Sequence, residues 1–149
     1  VATRVTNLRE FRAEVTKFAT TVPGQSLLLQ KKIAFDLLTK IVLRTPVGNP
    51  TLWQRPPPPG YVGGRARANW QVSITEPGRS KPKKVDPAGS ETITKGLAQI
   101  SNAQPFGVIW LYNNLPYIVP LEYGWSSQAP GGMVRLSLAE INAQFPGTP

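Results

Sequence analysis

The sequence predicts an α+β fold, a small and mainly antiparallel sheet packed against about four helices with a long proline-rich loop. Three observations lead there. Apolar residues recur at helical spacing over 7–22 and 26–44, strict alternation runs from Trp70 to Thr75, and a continuous apolar run spans Val108 to Tyr112. Helices and strands do not alternate as repeated βαβ units, so a layer of helices on a small sheet is the natural architecture. At 149 residues the chain has the length of one ordinary domain, and a single domain over 1–149 is expected.

Leu8, Phe11, Val15, Phe18 and Val22 alternate at intervals of three and four, which puts them on one helical stripe. Asn7 suits the N-cap, with Glu10 as its capping-box partner, and Pro23-Gly24 supplies a break. A second helix follows from Ser26 to Arg44, in which Ala34, Leu37, Leu38 and Ile41 form the core face and Asp36 precedes Lys40 by one turn. Ile33, Phe35 and Val42 fall beyond that stripe. Either a neighbouring subunit buries them or they wrap into the same core.

Thr45 to Ala68 contains Pro46, Pro50, the run Pro56 to Pro59 and several glycines, a composition that supports neither helix nor ladder. The proline run favours extended polyproline II, and Trp53 and Tyr61 flank it as large adhesive side chains. The segment reads as an arm or long loop, contacting a partner or simply inserted.

In the first strand Trp70, Val72 and Ile74 form the buried face. Glu76 to Gly89 is a turn-rich connection in which Arg79, Lys81, Lys83 and Lys84 make a basic cluster between prolines. Ser90 caps a short helix with Ile93, Leu97 and Ile100 on one face, and Gly96 weakens it by up to about 1 kcal/mol against alanine. Val108 to Tyr112 reads as a central strand covered on both faces, closed by Asn113-Asn114. Turn formers and the exposed aromatics Tyr117, Tyr123 and Trp125 follow, then a last helix set up by Met133, Val134, Leu138 and Ile141 and ended by Phe145-Pro146.

Composition narrows the chemistry. Cysteine and histidine are both absent, which removes disulfides, thiolate nucleophiles, the usual zinc sites and histidine acid-base catalysis. The eight acids show neither metal-ligand nor paired-carboxylate spacing. Gly60 to Arg67 superficially resembles a phosphate loop but lacks the GK[ST] ending, and Gly124 to Gln128 lacks both the final glycine of a nucleophile elbow and a histidine to activate its serine. No enzyme, cofactor or metal is expected. No apolar stretch is long enough to span a membrane and the N-terminus has no signal-peptide order, so no membrane partner is expected either.

Seventeen Lys and Arg against eight Asp and Glu give +9, which draws the chain toward polyanions or acidic protein surfaces. Arg65, Arg67 and Trp70 interleave basic and aromatic residues as nucleic-acid-binding segments do, although Trp70 also begins the buried face of a strand.

Three segments carry a resemblance. Leu38 to Val47 (LTKIVLRTPV), Gly64 to Val72 (GRARANWQV) and, most specifically, Tyr117 to Val134 (YIVPLEYGWSSQAPGGMV) resemble the neck or tail-completion proteins of lambda-like long-tailed phages. Where that family commonly has Asp-Thr-Gly after Pro-Val, this chain carries Gly48 to Gly63 with its proline run. The resemblance implies a structural virion protein, made in the host cytoplasm, that assembles with itself into a ring joining the DNA-filled head to the tail. Six copies are expected and twelve are the alternative. Neighbouring connector and tail proteins would be its partners, with passing contact to genomic DNA.

On that reading the subunit interface falls at Trp53, Tyr61, Tyr117, Leu121, Glu122, Tyr123 and Trp125, with Glu122 answering an arginine of the adjacent protomer. An internal turn packed on its own sheet is the alternative for 117–134. Arg65, Arg67, Arg79, Lys81, Lys83 and Lys84 would face the DNA channel or an acidic partner. The rival functions are a basic nucleic-acid-binding domain and a tail-terminator or tube subunit.

Overall fold

The computed structural model describes residues 8–146; the expected cap Asn7 lies outside them, as do the side chains of Leu8 and Phe11. The fold is α+β with helices dominant. Among the described residues α1 spans Leu8–Arg44, α2 Arg65–Ala68, β1 Gln71–Ser73, α3 Ser90–Ser101, β2 Trp110–Tyr112, α4 Ile118–Glu122 and α5 Val134–Gln144, with a 3-10 turn at Pro50–Leu52.

The two helices expected at the N-terminus are one. Pro23 sits inside α1, which runs unbroken for 37 residues, about 55 Å at 1.5 Å per residue. Proline removes a single amide donor and crowds one carbonyl, a local cost of about 3 kcal/mol that can bend a helix without ending it when both flanks are helix-forming. Only the second half of α1 joins the core. Ala34, Leu38, Ile41 and Val42 are buried, with Phe35 and Leu37 packed against them, whereas every described side chain from Arg12 to Thr21 is exposed. Val42 and Phe35 therefore wrap into the chain's own core.

β1 and β2 form a two-stranded antiparallel sheet in the register Gln71↔Tyr112, Val72↔Leu111 and Ser73↔Trp110. Such a ribbon is marginal alone and needs a helical layer. α3 packs on β1 and α1, and Val72 and Leu111 face the shared core around Leu38, Trp70, Ile100 and Met133. The expectation of a strand covered on both faces fails at β2: it has one neighbour, Val108 is 55% exposed and Trp110 40%. Only one face of the run is covered: Ile109 and Leu111 pack on the core while Val108 and Trp110 face outward.

Packing compensates for the low helix propensity of Gly96. A Cβ there would lie 2.2 Å from Leu38 Cδ2 and 3.0 Å from Val72 Cγ2, so its bare backbone lets α3 press onto α1 and β1. Leu97 turns outward instead of joining Ile93 and Ile100. The start of α3 is held by Asp86, whose carboxylate accepts from the amides of Gly89 (2.9 Å) and Thr92 (2.8 Å) and from the Thr92 hydroxyl (2.8 Å), not by Ser90. Met133, just before α5, and Ile141 within it are buried and Leu138 is exposed, because the inward face passes through the fully buried Ser137.

Candidate interaction surface

The GRARANWQV segment folds into α2 and the start of β1, where the proline-rich stretch was expected to hold no helix. Its side chains fasten the chain to itself. Arg67 donates to the carbonyls of Leu43 (2.9 Å), Thr45 (3.0 Å) and Pro87 (2.6 Å), and half-burial holds its guanidinium below its ordinary pKa against the pull of Asp86. Asn69 is fully buried and donates to Arg65 and Pro82 carbonyls, while the Trp70 indole donates to the Thr45 hydroxyl at 2.7 Å. Arg67 thus fastens the chain to itself, and the core reading of Trp70 is borne out by its burial.

Glu122 is also engaged within the chain. One carboxylate oxygen accepts from the amides of Met133 and Val134 (2.8 Å each), and the other from the amide (3.0 Å) and side chain (3.2 Å) of Arg135. Arg135 in turn donates to the Glu122 carbonyl at 2.6 Å. Burial alone would raise the Glu122 pKa, but the amides of Arg135, Val134 and Met133 outweigh it and hold the carboxyl below its usual range. The expected arginine partner is Arg135 of the same chain. Glycine is required on both sides: Gly124 and Gly132 adopt φ of +82° and +83°, and a Cβ at Gly132 would stand 2.5 Å from the Glu122 carbonyl oxygen.

This internal scaffold presents aromatics outward. Trp53 and Tyr61 meet edge-on with centroids 4.7 Å apart and 60° between planes, so the proline arm folds back on itself. Tyr61 lies over Gly48, where a Cβ would collide with its hydroxyl. The Gln128 side chain donates to the Val47 carbonyl at 3.1 Å, tying the segment after α4 to the base of the arm. Between the two lies a groove of about 590 Å³ lined by Trp53, Tyr61, Arg65, Tyr117, Leu121 and Trp125, among others. Six residues singled out in sequence thereby converge. Burial pushes the Tyr117 phenol above its ordinary pKa, opposed by the nearby charge of Arg65.

The remaining sequence candidates lie elsewhere. Tyr123 is exposed with the Arg135 guanidinium 5.2 Å from its ring centroid, and neither it nor Glu122 lines the groove. Lys84 pairs with Glu91, whereas Arg79, Lys81 and Lys83 are exposed and make no ion pair among the described residues. Among the described residues no group of three or more acids could hold a metal, and no helix is long and apolar enough to cross a membrane.

A second surface escaped the sequence reading. An open apolar trough of about 840 Å³ lies between α1 and the segment entering β2, lined by Leu29, Ile33, Leu37, Val108 and Trp110 with Phe106 at its rim. Phe106 is 84% exposed and holds a φ of 62°, uncommon for a bulky residue. Gln30 fastens this segment by donating to the Gly107 carbonyl at 2.8 Å. The available signal was the apolar run itself, which the sequence cannot assign to core or surface. No family model matches the chain, and neither a curated protein nor a solved structure is significantly similar to it.

Proposed function

We propose that the chain is a non-enzymatic structural protein of a virion, a protomer that assembles into a ring at the head-tail junction of a long-tailed phage. The observation that carries the structural role is the convergence of Trp53, Tyr61, Tyr117, Leu121 and Trp125 on one exposed groove, a surface for a neighbouring protein, with Trp125 itself 81% exposed. Tryptophan, tyrosine and arginine are the residues that dominate binding energy at protein interfaces. A second support is α1, which projects Val15 (49% exposed), Phe18 (67%) and Leu28 (71%) into solvent. An isolated helix of that length is marginal in water, so a neighbour that covers it is the natural stabiliser.

In this reading copies join through the α1 projection and the apolar trough, a heterologous contact that closes into a ring of six copies or, nearer the portal, twelve. Arg79, Lys81 and Lys83 supply positive charge for passing DNA or for acidic neighbours. Imaging of labelled protein in intact particles tests the location, and sedimentation velocity of purified protein tests the ring. A strictly monomeric protein absent from particles that binds duplex DNA with a steep salt slope would replace the proposal with a nucleic-acid-binding domain. Labelling along the tail shaft would instead make it a tube or terminator subunit.

A further inference from the structure

We propose that the aromatic groove is a docking site for an extended, acidic, proline-containing segment of a neighbouring protein other than this chain. The inference rests on the structural role proposed above and names the partner of one of its surfaces.

The chemistry of the groove selects the ligand. Trp53, Tyr61, Tyr117 and Trp125 offer flat faces and edges along one open trench, the kind of wall on which pyrrolidine rings of a polyproline II segment dock at low entropic cost. Arg65 is the one charged residue lining it. Its guanidinium makes no hydrogen bond or ion pair among the described residues, so the fork is open to a carboxylate.

Charge favours a partner other than a second copy. Asp36, Asp86, Glu91, Glu122 and Glu140 are already held in ion pairs or helix caps, and Glu10 and Glu14 lie on α1, away from the proline-rich stretches. Pro56 to Pro59 follows Arg55, and Glu76-Pro77 shares its segment with Arg79, Lys81, Lys83 and Lys84. The two stretches richest in proline, 56–59 and 77–87, thus carry the sign of the groove.

The test uses the whole chain and an acetylated, amidated hexapeptide of sequence Pro-Pro-Glu-Pro-Pro-Glu, read by the indole N–H resonances of the four tryptophans. Saturable shifts are expected at Trp53 and Trp125, with Trp70, locked on Thr45, and Trp110, in the other trough, unmoved. Replacing both Glu by Lys should weaken binding about tenfold, the worth of a charge-assisted hydrogen bond, and replacing every Pro by Ser should weaken it through loss of the preformed extended backbone. Arg65→Gln should do the same with the thermal midpoint unchanged, Arg65→Lys should retain part of the affinity, and Trp125→Ala should abolish it. Equal binding of the Lys peptide, indifference to Arg65→Gln, shifts centred on Trp110, or a groove already covered by a second copy would each overturn the assignment. Failure of the peptide with the protein still found at the neck removes this inference alone, whereas peptide binding by a protein absent from particles removes the location alone.

Discussion

Replacing Glu122 separates a helix cap from an intersubunit contact. In Glu122→Ala three amides at the start of α5, those of Met133, Val134 and Arg135, lose their acceptor at once. Loss of a helix cap costs about 1–2 kcal/mol, and removing a carboxylate from a helix N-terminus adds roughly 0.3–1 kcal/mol. The Arg135 side chain is half-exposed, so its ion pair contributes at most about 0.5 kcal/mol. A destabilisation of about 2–3 kcal/mol is expected, which for a chain of this size lowers the thermal midpoint by roughly 5–10 °C. Circular dichroism on heating and urea titration measure it. Glu122→Gln should fall between the two. The folded-state pKa is depressed, so the advantage of wild type over Glu122→Gln is complete above the ordinary carboxyl value and disappears as pH falls through the folded one. An Ala variant as stable as wild type but unable to assemble would refute the capping role and return Glu122 to an intersubunit contact.

Four further outcomes are expected. Gly96→Ala should destabilise by about 1–3 kcal/mol despite better helix propensity, because Leu38 is wholly buried and cannot yield, and Leu38→Val in the same chain should recover part of the loss. Arg67→Lys should lose the fork that holds three carbonyls and lower stability by roughly 1–3 kcal/mol by urea titration; an unchanged midpoint with weakened DNA binding would make Arg67 a channel residue after all. Burial raises the Asp86 carboxyl, but hydrogen bonds from Thr92, Gly89 and Glu91 more than offset it, so Asp86→Asn should cost most at neutral pH and least below the folded value, flattening the acid limb of a stability-pH profile. Trp125→Ala, at an 81% exposed position, should keep the thermal midpoint within about 0.5 kcal/mol of wild type in stability terms while abolishing incorporation into particles.

The sequence exposed the elements more readily than their partners. The alternation through Trp70 and Val72 and the periodicity through Leu38 and Ile41 are local signals that marked the side facing the core, although β1 ends at Ser73 and Ile74 does not join the core cluster. Tertiary facts leave no such trace. Pro23-Gly24 looks like a stop because both residues disfavour helix, yet the cost is one missing donor in a long helix. Gly96 looks like a weak helix position until Leu38 is seen lying where its Cβ would be.

The same gap divides the candidate site. Trp53, Tyr61, Tyr117, Leu121 and Trp125 stood out by type and turn context, but 72 residues separate Trp53 from Trp125, and only folding joins them across Gln128 and Val47. Charge beside aromatics has two uses, as Glu122 and Arg67 illustrate. A carboxylate or guanidinium there either meets a partner or holds the turn that presents the aromatics, and the two differ only in whether buried amides or carbonyls stand within reach. Here they do, three for each residue. Arg65, two positions before Arg67 and on the other side of the same turn of helix, has no such acceptors, and that difference leaves Arg65 as the basic side chain of the motif available to another molecule.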